Sequence, residues 1–255
     1  MDKDFYFRYY ALIEDSRAHA AFCNEAFGID LCQHGFSDLA QMRLLVEAAR
    51  VRAADAVLDL GCGNGRITEY LSDATGASFT GLDYVPEAVR KATERTAGKA
   101  DRLRFMIGNI NALALPRSAY SLVLSIDTIY FSDDYAKTVA ALKESLAPGG
   151  RMAFLYSYGL EPWIKAEDFP KERLAPEATP LARALQANGL PFTTVDLTEA
   201  DCAAAPGRKA ILERLRRGFA EDGIGFVYEN RIGEAKGITE ACRLGLQRRY
   251  LYLAR

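Results

Sequence analysis

Apolar and polar positions along this chain follow two periods, near two and near 3.6 residues, and the two take turns. Ala56 to Leu60 is a short apolar run, and a helical pattern follows from about residue 65 to 74. Residues 78–82 read as the next strand, and Pro86 opens a helix at its first turn, where a missing N–H is tolerated. Arg104 to Ile107 is a third strand. Tyr120 to Ile126 is a fourth and is nearly all apolar, as a parallel strand covered on both faces must be. Asp133 to Leu146 predicts a helix ended by Pro148-Gly149-Gly150, and Arg151 to Tyr158 a fifth strand. Such alternation predicts an α/β fold with a doubly wound, mostly parallel sheet.

The two ends depart from this rhythm. Ala11, Leu12, Ala18, Phe22, Ala26 and Phe27 make one helical stripe that Gly28 stops. After a connection at 32–36, Leu39 to Ala49 is a helix capped by Ser37 and Asp38. Residues 1–50 are therefore expected to form an N-terminal helical cap, with the main domain at 51–255. Thr179 to Asn188 predicts a helix closed by Gly189, and Phe192 to Leu197 a sixth strand. Helical patterns at 208–221 and roughly 229–243 predict a helical insertion at about 199–245. Arg248 to Ala254 alternates and is expected to be an antiparallel edge strand.

Composition narrows the function classes. The 255 residues are 49% hydrophobic with a net charge of −2, enough for a large core and without a long basic run, so no nucleic-acid partner is expected. The most basic stretch, 208–217, carries Ile211, Leu212 and Leu215 at helical spacing and reads as a solvated helix face. No apolar run approaches a membrane span, so no membrane partner is expected. The five cysteines, at 23, 32, 62, 202 and 242, form no C-x-x-C pair, and the opening Met-Asp-Lys-Asp has no apolar leader. Both features lead to the expectation of a reduced, cytoplasmic protein. No His/Asp/Glu grouping has metal-ligand spacing, so no metal is expected.

The chemistry concentrates at Val57-Leu-Asp-Leu-Gly-Cys-Gly-Asn-Gly65. A strand there runs into glycines 61, 63 and 65 and then a helix start. Glycines at such a turn let backbone approach a ligand and take positive φ. A dinucleotide fingerprint would want a third glycine at 66, where Arg66 stands, and a pyrophosphate would be repelled by Asp59. A ligand carrying an ammonium and a sulfonium is instead favoured by an acid. Asp83 ends the second strand, 24 residues after Asp59.

This stretch resembles the S-adenosylmethionine (SAM) loop of class I, Rossmann-like methyltransferases, and the resemblance spans roughly residues 50–200 with the last strand consistent. It implies a seven-stranded sheet, SAM as cofactor and S-adenosylhomocysteine (SAH) as product. It further implies that Gly61, Cys62 and Gly63 pass under the methionine portion and that Asp59 orients the amino end, directly or through water. Asp83 would take both ribose hydroxyls, which a carboxylate can accept at once, and Tyr84 would lie against the adenine. Asn109, where many members carry Asp, would accept from the adenine amino group beside the Ile110 N–H; a plain turn role for Asn109 is the alternative. Ile126 opens the lip Ser125–Phe131 that faces the methyl group in the family. Asp127 and Tyr130 on that lip, with His34, are the catalytic candidates. For Asp127 a helix-cap role is the alternative. The lip lacks the Asn/Asp-Pro-Pro-aromatic quartet of DNA amino-methyltransferases. Tyr10, His34, Tyr130, Tyr158 and Trp163 are expected to wall a substrate pocket, where aromatic faces attract a sulfonium or quaternary amine.

The resulting expectation is methyl transfer from SAM to an N, O or C atom of a small-molecule acceptor by in-line SN2 displacement. A protein or peptide methyltransferase and a catalytically silent SAM-binding protein are the alternatives, and a dinucleotide oxidoreductase is opposed by Arg66. Monomer and homodimer both remain open.

Overall fold

The computed structural model describes residues 3–161 and 163–255, so Met1 and Asp2 of the expected cap lie outside the described residues. Three helices come first: α1 (Lys3–Leu12), α2 (Arg17–Phe27) and α3 (Leu39–Ala48). Then follow β1 (Ala56–Leu60), α4 (Arg66–Thr75), β2 (Ser78–Asp83), α5 (Pro86–Arg95), β3 (Leu103–Ile107), β4 (Tyr120–Ile126), α6 (Tyr135–Ser145) and β5 (Leu146–Gly159). The chain closes with α7 (Pro180–Ala187), β6 (Phe192–Asp196), α8 (Thr198–Glu221), α9 (Gly225–Arg243) and β7 (Gln247–Ala254). The strands make one sheet in the order β3-β2-β1-β4-β5-β7-β6, parallel except for β7.

Period-two alternation explains why the sheet is covered twice. Leu58, Leu60, Val123 and Phe154 point to one face, where they pack with Leu181 and Leu185 of α7. Val57, Leu122, Leu124 and Leu155 point to the other, against Met42 and Leu45 of α3. The chain winds outward from β1 to β3, then returns to β4 and winds the other way. A crevice therefore opens beyond the carboxyl ends of β1 and β4, the ligand position of doubly wound sheets.

Three expectations need correction. The last strand is not at the edge: β7 fills the slot between β5 and β6, paired in register with both (Leu251 faces Leu155 and Val195). Its Leu251 and Tyr252 are fully buried, which only an interior strand requires. The first inserted helix begins at Thr198 rather than 208 and runs through Pro206. A proline removes one helical hydrogen bond. Here the buried Arg208–Asp201 ion pair (2.6 Å) spans the proline from within the helix, and the Arg208 guanidinium also donates to the Asp201 carbonyl at 2.8 Å. Finally, the cysteines are not all reduced: Cys202 of α8 and Cys242 of α9 form a disulfide that staples the helical hairpin. Spacing could not show this, because the two are brought together by antiparallel helices.

The cap and the insertion are one body. Tyr9 of α1, Ile13 just after it, Phe22 and Phe27 of α2, Phe219 of α8 and Val227 of α9 share a single apolar cluster separate from the two sheet faces. Among the described residues, no helix is long and apolar enough to cross a membrane.

Candidate functional site

The turn after β1 is built by three glycines at φ 77°, 55° and 72° (Gly61, Gly63, Gly65). That region of backbone space is open to glycine and strained for other residues. Space is equally short. A Cβ on Gly61 would stand 2.1 Å from the Thr128 methyl, and one on Gly65 2.4 Å from the Phe105 ring. The turn is then pinned to β2. Gly61 and Cys62 N–H donate to the Leu82 carbonyl (2.7 and 3.1 Å). Gly63 N–H donates to Asp83 Oδ2 (2.8 Å), while Val85 N–H donates to Asp83 Oδ1 (2.9 Å). Burial raises the Asp83 carboxyl above its ordinary range, against the pull of these N–H groups. Each oxygen keeps acceptor capacity for a further donor.

This turn floors a cavity of about 830 Å³ at the switch between β1 and β4. Of the sequence-derived cofactor set, Gly61, Cys62, Gly63, Asp83, Tyr84, Asn109, Ile110 and Ile126 all line it. Asn109 Oδ1 is also engaged locally, accepting from Asn111 N–H at 3.0 Å, so its turn role is real. Asp59 stands apart from this set. It does not line the cavity; it lies beneath the turn, 3% exposed, accepting from the Thr68 hydroxyl at 2.6 Å.

Burial raises the Asp59 carboxyl to about 6 despite the Thr68 hydrogen bond. The sign follows from linkage. Below pH 4 the group is protonated whether the chain is folded or not. Between about pH 4 and 6 the unfolded chain releases a proton that the folded one keeps, and stability falls by about 3 kcal/mol in total. Asp59→Asn removes this dependence. Ligand-free thermal melts should therefore show the variant more stable than the parent at pH 8 and no such gain at pH 4. Equal melting temperatures at pH 8 would rule the effect out.

The catalytic candidates sit at the cavity but are differently employed. Asp127 is locked. Arg249 of β7, 0% exposed, grips both its oxygens (Nη2 to Oδ2 3.1 Å). Phe36 N–H, Ser37 N–H and the Ser37 hydroxyl all donate to Oδ2 at 2.8–3.0 Å. Burial pushes the carboxyl up, but the Arg249 charge and these hydrogen bonds outweigh it and hold it below its ordinary value. Gly35 makes the approach possible, since a Cβ there would lie 2.6 Å from Oδ2. Asp127 is thus an anchor for the 35–37 loop, which corrects both its expected catalytic role and the helix-cap alternative. Tyr130 is committed as well: its hydroxyl accepts from Ser157 N–H (2.6 Å) and donates to Asp127 (3.3 Å), and burial raises it. His34 lines the cavity between the rings of Phe5, Tyr6 and Tyr9, with centroids at 5.1–5.4 Å.

The aromatic wall is partly as expected. Tyr10 lines the cavity, its hydroxyl 2.3 Å from where a Gly63 Cβ would stand. Tyr158 and Trp163 do not line it. Tyr158 shares the Tyr156 face of β5 and packs on Phe169, while Trp163 is 78% exposed on a loop. In their place stand Tyr6, Phe7 and Phe131, with Thr128 and Asn111. Helical spacing carried part of that signal: residues 6 and 10 share a face of α1, whereas Tyr9 turns into the cap and bonds His19 Nε2 at 3.1 Å. The folded chain also gathers His19, Asp30 and Cys32, whose ligand atoms lie within 4.8 Å of one another, a grouping that spacing did not reveal. His19 is already engaged by Tyr9, and Asp30 Oδ1 accepts from Cys32 N–H at 2.9 Å.

Comparison with known proteins agrees with this geometry. Residues 57–150 match the family model described as a methyltransferase domain. Over 120 residues the chain is 31% identical to demethylmenaquinone methyltransferase of Thermus thermophilus, covering 47% of this chain and 54% of that protein. The chain spans about half the length of such curated relatives. The SAM-dependent methyltransferase of Thiobacillus denitrificans, solved with SAH, superposes with a TM-score of 0.62 at 17% identity over 91% of this chain and 96% of that one. Geranyl diphosphate C-methyltransferase of Streptomyces coelicolor gives 0.64 at 18% identity over 84% and 76%. At such identities the likeness speaks to the fold. The sheet order and the glycine turn closed by Asp83 give the chain the fold of the class I, Rossmann-like methyltransferases. Over residues 57–150 the chain is similar in sequence to the methyltransferase domain family.

Proposed function

We propose that the protein transfers the methyl group of SAM to a small-molecule acceptor. The observation that carries this reading is the cavity itself. It lies at the topological switch point, floored by the glycine turn and Asp83, with a volume in the range of small-ligand sites. SAM supplies an electrophilic methyl on a sulfonium. The residues fit it: Gly61 and Gly63 leave backbone free to approach the methionine portion, and Asp83 has acceptor capacity for a ribose diol. Tyr84, Asn109 and Ile110 border the adenine side, and Ile126 borders the lip. Asp59 acts one layer down, through Thr68 and the turn. The remaining task of the chain is to hold the nucleophile in line and exclude water.

Enclosure favours a small acceptor over a protein side chain. Tyr6, Phe7 and Tyr10 of α1 roof the cavity, and α1 is backed by α2, α8 and α9 in one apolar cluster. The cap and the inserted hairpin would thus act together as a cover.

Thermal melts with SAM, SAH and NAD test the binding class. A native-state ligand at a hundredfold excess over its Kd stabilises by about 2.7 kcal/mol. SAM and SAH should raise the melting temperature and NAD should not. Stabilisation by NAD alone would overturn the reading. SAM binding without transfer to any acceptor would leave the silent binding protein in its place.

A further inference from the structure

The outer half of the cavity has a chemistry of its own. Tyr6 is its hub, with ring centroids 5.1 Å from His34, 5.4 Å from Phe131 and 6.4 Å from Tyr84. Among these rings the hydrogen-bonding of His34 is asymmetric. Nε2 faces Asn230 Oδ1 at 3.0 Å. An amide oxygen only accepts, so Nε2 carries the hydrogen and Nδ1 is left with its lone pair. Nδ1 faces only the Tyr6 hydroxyl, at 3.4 Å, a distance at which a hydrogen bond is weak.

Charge is distributed as unevenly. Among the described residues, no lysine or arginine lines the cavity, whereas Asp83, Asp127 and Asp133 do. Two buried guanidiniums behind residues of the lining spend their Nη groups elsewhere, although Arg231 Nε has no partner. Arg231 donates to the backbone carbonyls of Gln33 and His34, and Arg249 is paired with Asp127. An acceptor bearing phosphate or carboxylate would meet no lysine or arginine of the lining in this space, at a desolvation cost that only the charge of the cofactor could offset.

Resting on the methyl-transfer reading above, we infer that the acceptor is an uncharged primary or secondary amine on an apolar body free of phosphate and carboxylate, its N–H donated to His34 Nδ1. The transfer balances with no base in the site. The nitrogen lone pair forms the new N–C bond while the methyl–sulfur bond breaks with its electrons left on sulfur. The positive charge passes from sulfonium to the product ammonium, which loses its proton to water after release. A hydroxyl acceptor must instead shed its proton during transfer, and the enclosed lining has no free base beside His34 to take it: Asp83 is held by the Gly63 and Val85 N–H groups, and Asp133 is exposed at the rim. Asp127 and Tyr130 are committed to Arg249 and Ser157, and burial together with the Arg231 charge holds His34 at about 3, too weakly basic to keep a proton. The same apolar surroundings favour the neutral form of a bound amine, and the aromatic rings of Tyr6 and Phe131 suit the charge that arrives.

Two matched series test this: benzylamine, benzyl alcohol, benzoate and phenyl phosphate, and the four n-hexyl counterparts. Binding is read by calorimetry on SAH-saturated protein at pH 9, and transfer by labelled SAM. Failure of SAH to bind would defeat the methyl-transfer reading itself. With SAH bound, at least one amine should bind tenfold more tightly than its carboxylate and phosphate partners and accept label, while the alcohols accept none. Tighter binding of an anion, labelling of an alcohol, or no binding by any of the eight would overturn the inference. His34→Leu should weaken amine binding at least about tenfold, the worth of one hydrogen bond, and His34→Gln, which still offers an acceptor, should restore it to within about threefold. Equal losses in both variants would reduce His34 to a packing residue.

Discussion

Gly63→Val should weaken SAM binding by about 3 kcal/mol or more, roughly a hundredfold in Kd. Two effects add. Gly63 sits at φ 55°, where a side chain costs about 1–2 kcal/mol. Its Cβ would also lie 2.3 Å from the Tyr10 hydroxyl, on a ring only 9% exposed and held in the cap cluster. The turn must therefore shift, and its N–H would leave Asp83 Oδ2. Gly149→Val separates the two effects. Gly149 has φ 75° with nothing near its would-be Cβ, so it carries the backbone strain without the collision. It should lower stability modestly and leave SAM affinity intact. Calorimetry that shows equal affinity for Gly63→Val and the parent would exclude the turn as the binding surface.

Arg249→Met should destabilise the fold by about 3–5 kcal/mol, because it strands the Asp127 carboxylate in a buried site. For a chain of this size the melting temperature should drop by between about 6 and 20 °C. The loss reaches several elements. Arg249 also donates to Gln41 Oε1 (3.0 and 3.1 Å), the Ser37 hydroxyl (2.7 Å) and the Ser157 hydroxyl (3.0 Å). It therefore ties β7 to β5, to α3 and to the 35–37 loop. The double variant Asp127→Leu with Arg249→Met removes both charges and should lose far less than the two single variants combined. A single variant as stable as the parent in urea titration would show that the pair contributes nothing.

These two sites mark what the sequence made legible. The glycine turn and Asp83 could be read because their function is local: positive φ, a strand end and a carboxylate at the end of the next strand. Asp127 was visible as an acid on the lip, but its partner lies 122 residues away on a strand that could be placed in the sheet only in three dimensions. The central strands were readable from their apolar runs. The position of β7 was not, since alternation reveals a half-covered strand and not which neighbours it has. Aromatic residues posed the same difficulty. Tyr10 and Trp163 look alike in sequence, yet one is clamped against Gly63 and the other faces water. The disulfide and the shared core of cap and hairpin depend on which helix faces meet, and no local pattern encodes that.

The interior place of β7 has a further consequence for how the molecule is made. Synthesis runs from the amino end, and β7 is the last strand to appear, after both neighbours it must join. Until then β5 and β6 each expose an unpaired edge, and the Asp127 carboxylate has no Arg249. The cavity end of the sheet is therefore incomplete on the ribosome even when the glycine turn and the first four strands have formed. Nascent chains stalled before Gln247 should be open to strand addition by other chains, and the arrival of β7 is the event that closes the sheet.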